Sequence, residues 1–141
     1  MSCWRLEFLP TPPISPLTFW VHRPIDRRRG QRWEDATSYE PPRERPIPGR
    51  GYPLFHVSCG DLSLRFASLA EIEACASILG RKLLPRALDL VRSSGVQKGP
   101  HAHWLSRLPA RWKRWSRRER LAARLRVALV DFRARLEQAR S

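Results

Sequence analysis

Ten of the thirteen prolines fall at or before Pro53, and this skew restricts what the chain can fold into more than any other feature. Proline fixes φ, removes a backbone donor and biases its predecessor away from helix. Residues 1–51 are therefore expected to form an extended Pro/Arg-rich arm, and residues 52–141 a compact domain. Within the arm only residues 17–22 read as a strand. Residues 27–51 have the composition of a long loop or of a segment ordered by a partner. Trp4, Trp20, Trp33 and Tyr39 argue for an arm that lies across the folded part. Because the periodic segments all lie beyond residue 50, the arm is expected to be dispensable for folding.

Past the prolines the pattern becomes periodic. Phe55, Val57 and Cys59 alternate with His56 and Ser58; after Gly60-Asp61, Leu62, Leu64 and Phe66 alternate with Ser63 and Arg65. Period-two alternation around a turn with glycine first is the pattern of a β-hairpin with one apolar face. Ser68 with Glu71 then forms a capping box, and Leu69, Ile72, Cys75, Ala76 and Leu79 recur at helical spacing until Gly80. Pro85 is placed to start a short second helix reaching about residue 92. A second capping box, Ser116 with Glu119, opens a helix to about residue 138, on which Leu121, Leu125, Ala128, Leu129, Phe132 and Leu136 share one stripe. The fold class expected is α+β, a β-hairpin followed by three helices. On the last helix Arg117, Arg120, Arg124 and Arg135 lie along one flank of the stripe and Arg126, Arg133 and Arg140 along the other, so the apolar face can dock while the guanidiniums stay wet.

Charge narrows the functional class. The chain of 141 residues carries 27 basic and 13 acidic residues, a net charge of +14. Twelve of the basic residues and three of the acidic ones lie in residues 100–141, and so concentrated a charge produces a directional field suited to a polyanionic partner. No uncharged stretch reaches the roughly 18 apolar residues of a membrane span. Glu7 and the prolines that follow argue against a cleaved secretory signal. Cys3, Cys59 and Cys75 form neither a disulfide framework nor a four-cysteine zinc site, which fits a reducing cytoplasm.

The runs Phe66-Ala67-Ser68-Leu69-Ala70-Glu71 and His103-Trp104-Leu105-Ser106-Arg107-Leu108-Pro109, with the Leu84-Pro85 step between them, resemble small uncharacterised basic proteins carried on proteobacterial mobile elements. The resemblance covers about the last 80 residues, implies that genomic setting, and carries over no catalytic residue. The proline-rich arm lies outside it.

The segment richest in candidate chemistry is residues 101–118, where basic and aromatic side chains interleave. Phosphates require cations and exposed bases require flat π surfaces. Arg107, Arg111, Trp112, Lys113, Arg114, Trp115, Arg117, Arg118 and Arg124 are the expected nucleic-acid-binding residues, although Trp104, Trp112 and Trp115 fit equally well as anchors into the core. His101 and His103 lack a second close pair of ligands, so no metal site is expected. Cys59 and Cys75 read as small buried hydrophobes. There is no nucleophile elbow, and Gly95–Gly99 lacks the lysine and hydroxyl of a phosphate loop. No enzymatic activity and no cofactor are expected. The chain reads as a small basic nucleic-acid-binding protein of the cytoplasm, for DNA or RNA, contacting mainly phosphates. Two alternatives stand beside it: an interaction module, inhibitor or adaptor, whose arm wraps an acidic protein surface, and a protein associated with structured RNA. Nothing in the pattern sets an oligomeric state.

Overall fold

A computed structural model describes residues 3–13, 44–83 and 108–141. The elements are β1 (Trp4–Leu9), β2 (Tyr52–Cys59), β3 (Leu62–Phe66), α1 (Leu69–Leu79), a 3-10 turn (Ala110–Lys113) and α2 (Trp115–Arg140). The three strands form one antiparallel sheet in the order β1-β2-β3. The expectation of a hairpin followed by three helices is thereby corrected: the sheet has three strands, and the described residues hold two helices and a 3-10 turn. The expected strand at residues 17–22 and the expected helix from Pro85 lie outside the described residues.

The physical reason for the third strand is area. A two-stranded ribbon is marginal in water and needs a further strand or a helix against it. Trp4, Leu6 and Phe8 alternate with Arg5 and Glu7, and their register opposite Val57, Phe55 and Pro53 puts all of them on the face already apolar in β2. On the other edge Phe66, Leu64 and Leu62 stand opposite Phe55, Val57 and Cys59. The opposite face carries Arg5, His56, Ser58, Ser63 and Arg65 beside a buried Leu54, with Glu7 bonded to His56 at 3.3 Å. Of the segment read as an arm, residues 4–9 thus supply an edge of the sheet, and Ile47 is buried in the core.

Gly60, at φ +57°, makes the hairpin turn where a Cβ would be strained. Gly51, at φ +104°, is needed more strictly, because a Cβ there would run into the Leu9 carbonyl oxygen at the end of β1.

The capping box on α1 forms as its spacing predicts: the Ser68 hydroxyl accepts from the Glu71 N–H at 3.1 Å. The buried Glu71 carboxylate reaches back to accept from the Ala67 N–H at 2.9 Å. Glu44 accepts from the Leu69 N–H at 2.8 Å and pairs with Arg140 at 3.4 Å, joining the start of α1 to the end of α2. The expected box at Ser116 does not form. α2 begins two residues earlier, at Trp115, with Arg114 as N-cap and no side-chain cap, because the 3-10 turn runs directly into the helix.

The core lies between the apolar face of the sheet and the two helices. Leu121, Leu125, Ala128, Leu129, Phe132 and Leu136 are all buried, as their spacing predicts, and meet Phe55, Ile72, Cys75 and Leu79 in one cluster. Phe132 and Phe55 pack with ring centroids 4.9 Å apart. Cys59 and Cys75 are free and buried. Burial, with the Glu71 carboxylate nearby as a smaller cause, pushes the Cys75 thiol far above its ordinary range. Among the described residues no helix is long and apolar enough to cross a membrane.

Candidate nucleic-acid interface

The interface is organised by the hairpin turn. Asp61 projects from it and binds two partners from the 3-10 turn, Arg111 at 2.6 Å and the Trp112 indole N–H at 3.1 Å. The hydrogen bond from Arg111, then that from Trp112, hold the Asp61 carboxyl below its ordinary range. The edge of the Trp112 ring lies against Gly60, where a Cβ would already touch it at 3.4 Å. With 4% of its surface exposed and its N–H engaged, Trp112 is a core residue that fixes the turn, and its faces are closed to a stacking base. Trp115 is half-buried, with the Arg118 guanidinium 5.3 Å from its ring centre.

Arg118 is the second residue that burial removes from the surface, at 3% exposed. Its Nε donates to the Lys113 carbonyl at 2.7 Å, Nη1 to the Leu79 and Arg81 carbonyls at 3.2 and 2.5 Å, and Nη2 to the Lys82 carbonyl at 3.1 Å. The last carbonyls of a helix have no partner within it and carry the negative end of its dipole. A buried guanidinium is therefore the natural closure for the C-terminus of α1, and Arg118 is spent on that task. It lies at the start of the same stripe as Leu121 and Leu125, so helical periodicity could have found it; its neighbours in a basic run concealed it.

What remains is a row of guanidiniums, with Arg117 and Arg120 exposed and Arg124 half-buried. Arg117, Arg120 and Arg124 follow one another on the flank of α2 and, with Cys59, Gly60, Asp61 and Trp112, line an open hollow of about 330 Å³ beside the hairpin turn. Arg117 sits 5.5 Å from the centre of the Trp112 ring. Arg124 donates to the Ser58 carbonyl at 3.1 Å, which steers its side chain toward the sheet. Among the described residues none of the three pairs with a carboxylate, since the one acid in the hollow, Asp61, is taken by Arg111. Of the expected site residues the structure thus brings Arg117 and Arg124 together and adds Arg120, which the flank pattern contained. Arg111 and Arg114 are exposed nearby, Lys113 is half-buried, and Arg107 lies outside the described residues.

No group of three metal-ligating side chains occurs among the described residues. No protein-family model, curated protein or solved structure matches the chain.

Proposed function

We propose that the chain is a small basic nucleic-acid-binding protein, not an enzyme, that grips phosphates through the Arg117, Arg120 and Arg124 row on α2 and works in the cytoplasm. The observation that carries this reading is the hollow itself: three guanidiniums line an open concavity whose one acid among the described residues, Asp61, is already paired with Arg111. Charges left unpaired around a concavity focus field, and a polyanion supplies what the protein lacks. Guanidiniums match phosphate oxygens in geometry as well as charge. The burial of Trp112 shifts the balance of the interface from stacking to backbone contact, so affinity is expected to vary little with base sequence.

The test is a salt titration of binding to unrelated nucleic-acid sequences. Replacing Arg117, Arg120 and Arg124 with glutamine should reduce the slope of log affinity against log salt by about 0.7–0.9 for each phosphate the variant no longer neutralises. The thermal transition should move little, because exposed charges contribute little to stability. Wild-type protein that shows no salt-dependent binding to any nucleic acid refutes the reading.

A further inference from the structure

The Arg117, Arg120 and Arg124 row has a counterpart. At about 100° per residue, Arg126 and Arg133 fall about 160° around the α2 axis from Arg124 and Arg117 respectively. Both are exposed. The Arg126 guanidinium rests beside Gly80 at the end of α1, where an added Cβ would meet Nη2 at 2.6 Å. From Ala123 to Ala134 the outward ridge of α2 carries no long side chain: Ala123, Val127, Val130 and Ala134 face outward, with Val127 58% and Val130 67% exposed; the first row flanks this stretch at its N-terminal end and the second runs along its other side. The acid inside this span, Asp131, is occupied by the Trp4 indole N–H at 2.8 Å and by Arg135 at 3.0 Å. Glu119 and Glu137, both exposed, lie beyond the two ends of this stretch, about 20° from Arg126 on the side of the ridge.

An exposed helix with a slim ridge and cations on both flanks has a specific complement. We infer, building on the phosphate-binding reading above, that the nucleic acid is duplex DNA and that the outward face of α2 lies in its major groove. A helix with its side chains is about 10–12 Å across, and the B-form major groove is about 12 Å wide. The ridge meets the base edges, where valine and alanine give apolar contact to thymine methyl groups, and each row of arginines meets one phosphate wall. From Ala123 to Ala134 the ridge runs about 16 Å at 1.5 Å per residue, about five base pairs of duplex at 3.4 Å each. The major groove of A-form RNA is too deep and narrow to admit a helix. A single strand offers only one line of phosphates and leaves the second row unused.

The experiment compares, at one salt concentration, a DNA duplex, an RNA duplex of the same sequence, the single DNA strand, and the DNA duplex with glucosylated hydroxymethylcytosine filling its major groove. Binding to the plain DNA duplex should exceed binding to the other three by tenfold or more, and a minor-groove ligand should not compete. Arg126→Gln with Arg133→Gln should flatten the salt slope on DNA duplex by about 0.9 per contact and leave the slope on single strands unchanged. Val130→Glu, at an exposed position that folding does not need, should abolish the preference for DNA duplex. Salt-dependent binding that is equal for DNA and RNA duplexes, or indifferent to glucosylation, overturns the groove assignment and leaves the phosphate-binding reading standing. Absence of salt-dependent binding to all four overturns both.

Discussion

Arg118→Met isolates the role of one buried charge. Methionine keeps much of the aliphatic packing and removes every donor, leaving the carbonyls of Leu79, Arg81, Lys82 and Lys113 without the partner they have now. A hydrogen bond to a charged group contributes about 1.5–3 kcal/mol net, and an orphaned buried acceptor costs about as much. The Leu79 bond is fully buried and takes that range whole. The three half-buried bonds, whose carbonyls recover some water, take roughly a third of it each, for a total of about 3–6 kcal/mol. That is a large part of a domain stability of about 5–15 kcal/mol. At about 3 °C per kcal/mol for a chain of this length, the midpoint should fall by about 9–18 °C. Urea unfolding followed by tryptophan fluorescence measures it, with Arg120→Gln as the exposed control expected to change stability by less than about 0.5 kcal/mol. Arg118→Lys should recover only part of the stability, because an ammonium cannot span four carbonyls as a planar fork does. A decrease under about 1 kcal/mol for the methionine variant would show that Arg118 does not close α1.

Three further outcomes follow from the packing. Phe132→Asp should destabilise by about 4 kcal/mol or more, since it buries a carboxylate against Phe55; near-normal urea unfolding would mean that α2 is not docked. Trp112→Ala should cost about 3–5 kcal/mol through cavity formation and removal of the Asp61 bond, and an unchanged melting curve with weakened single-strand binding would instead make Trp112 a stacking surface. The Asp61 contribution has a definite sign: its carboxyl is held below the ordinary value of 3.8, so the stabilisation is present above that value and disappears as pH falls through the lower folded one. The Trp112 indole proton resonance should therefore titrate with a midpoint below 3.8, and the transition should vanish in Asp61→Asn; a midpoint at or above that value would sink the assignment.

The elements legible in the sequence are those whose signals are local. The alternation on either side of Gly60-Asp61, the Ser68–Glu71 cap and the Leu121-to-Leu136 stripe need only neighbours within a few residues, and each stands in the structure where its spacing puts it. β1 is hidden because 42 residues separate it from its partner, and the prolines that follow Leu9 suggest an arm although Trp4, Leu6 and Phe8 already alternate. The start of α2 is obscured for a related reason. Trp112 is fixed by Asp61, 51 residues earlier, and that contact, not a cap of its own, decides where the helix begins. In the candidate interface charge alone cannot separate Arg117 from its neighbour Arg118: one faces water and the other closes a helix, and only the phase of the stripe distinguishes them.

The distance in sequence between β1 and β2 also sets an order of assembly. The hairpin and α1 occupy adjacent residues and can form without waiting for remote parts of the chain, whereas pairing β1 with β2 closes a loop of 42 residues at an entropic cost of about 3 kcal/mol beyond the constant term. Of the three strands of this sheet, the one made earliest is therefore the last to find its place. Until it does, the apolar edge of β2 is a free template that another copy of residues 4–9 could occupy. In the finished protein the same logic makes β1 the strand most ready to detach, and its amides should exchange with solvent ahead of those in the hairpin.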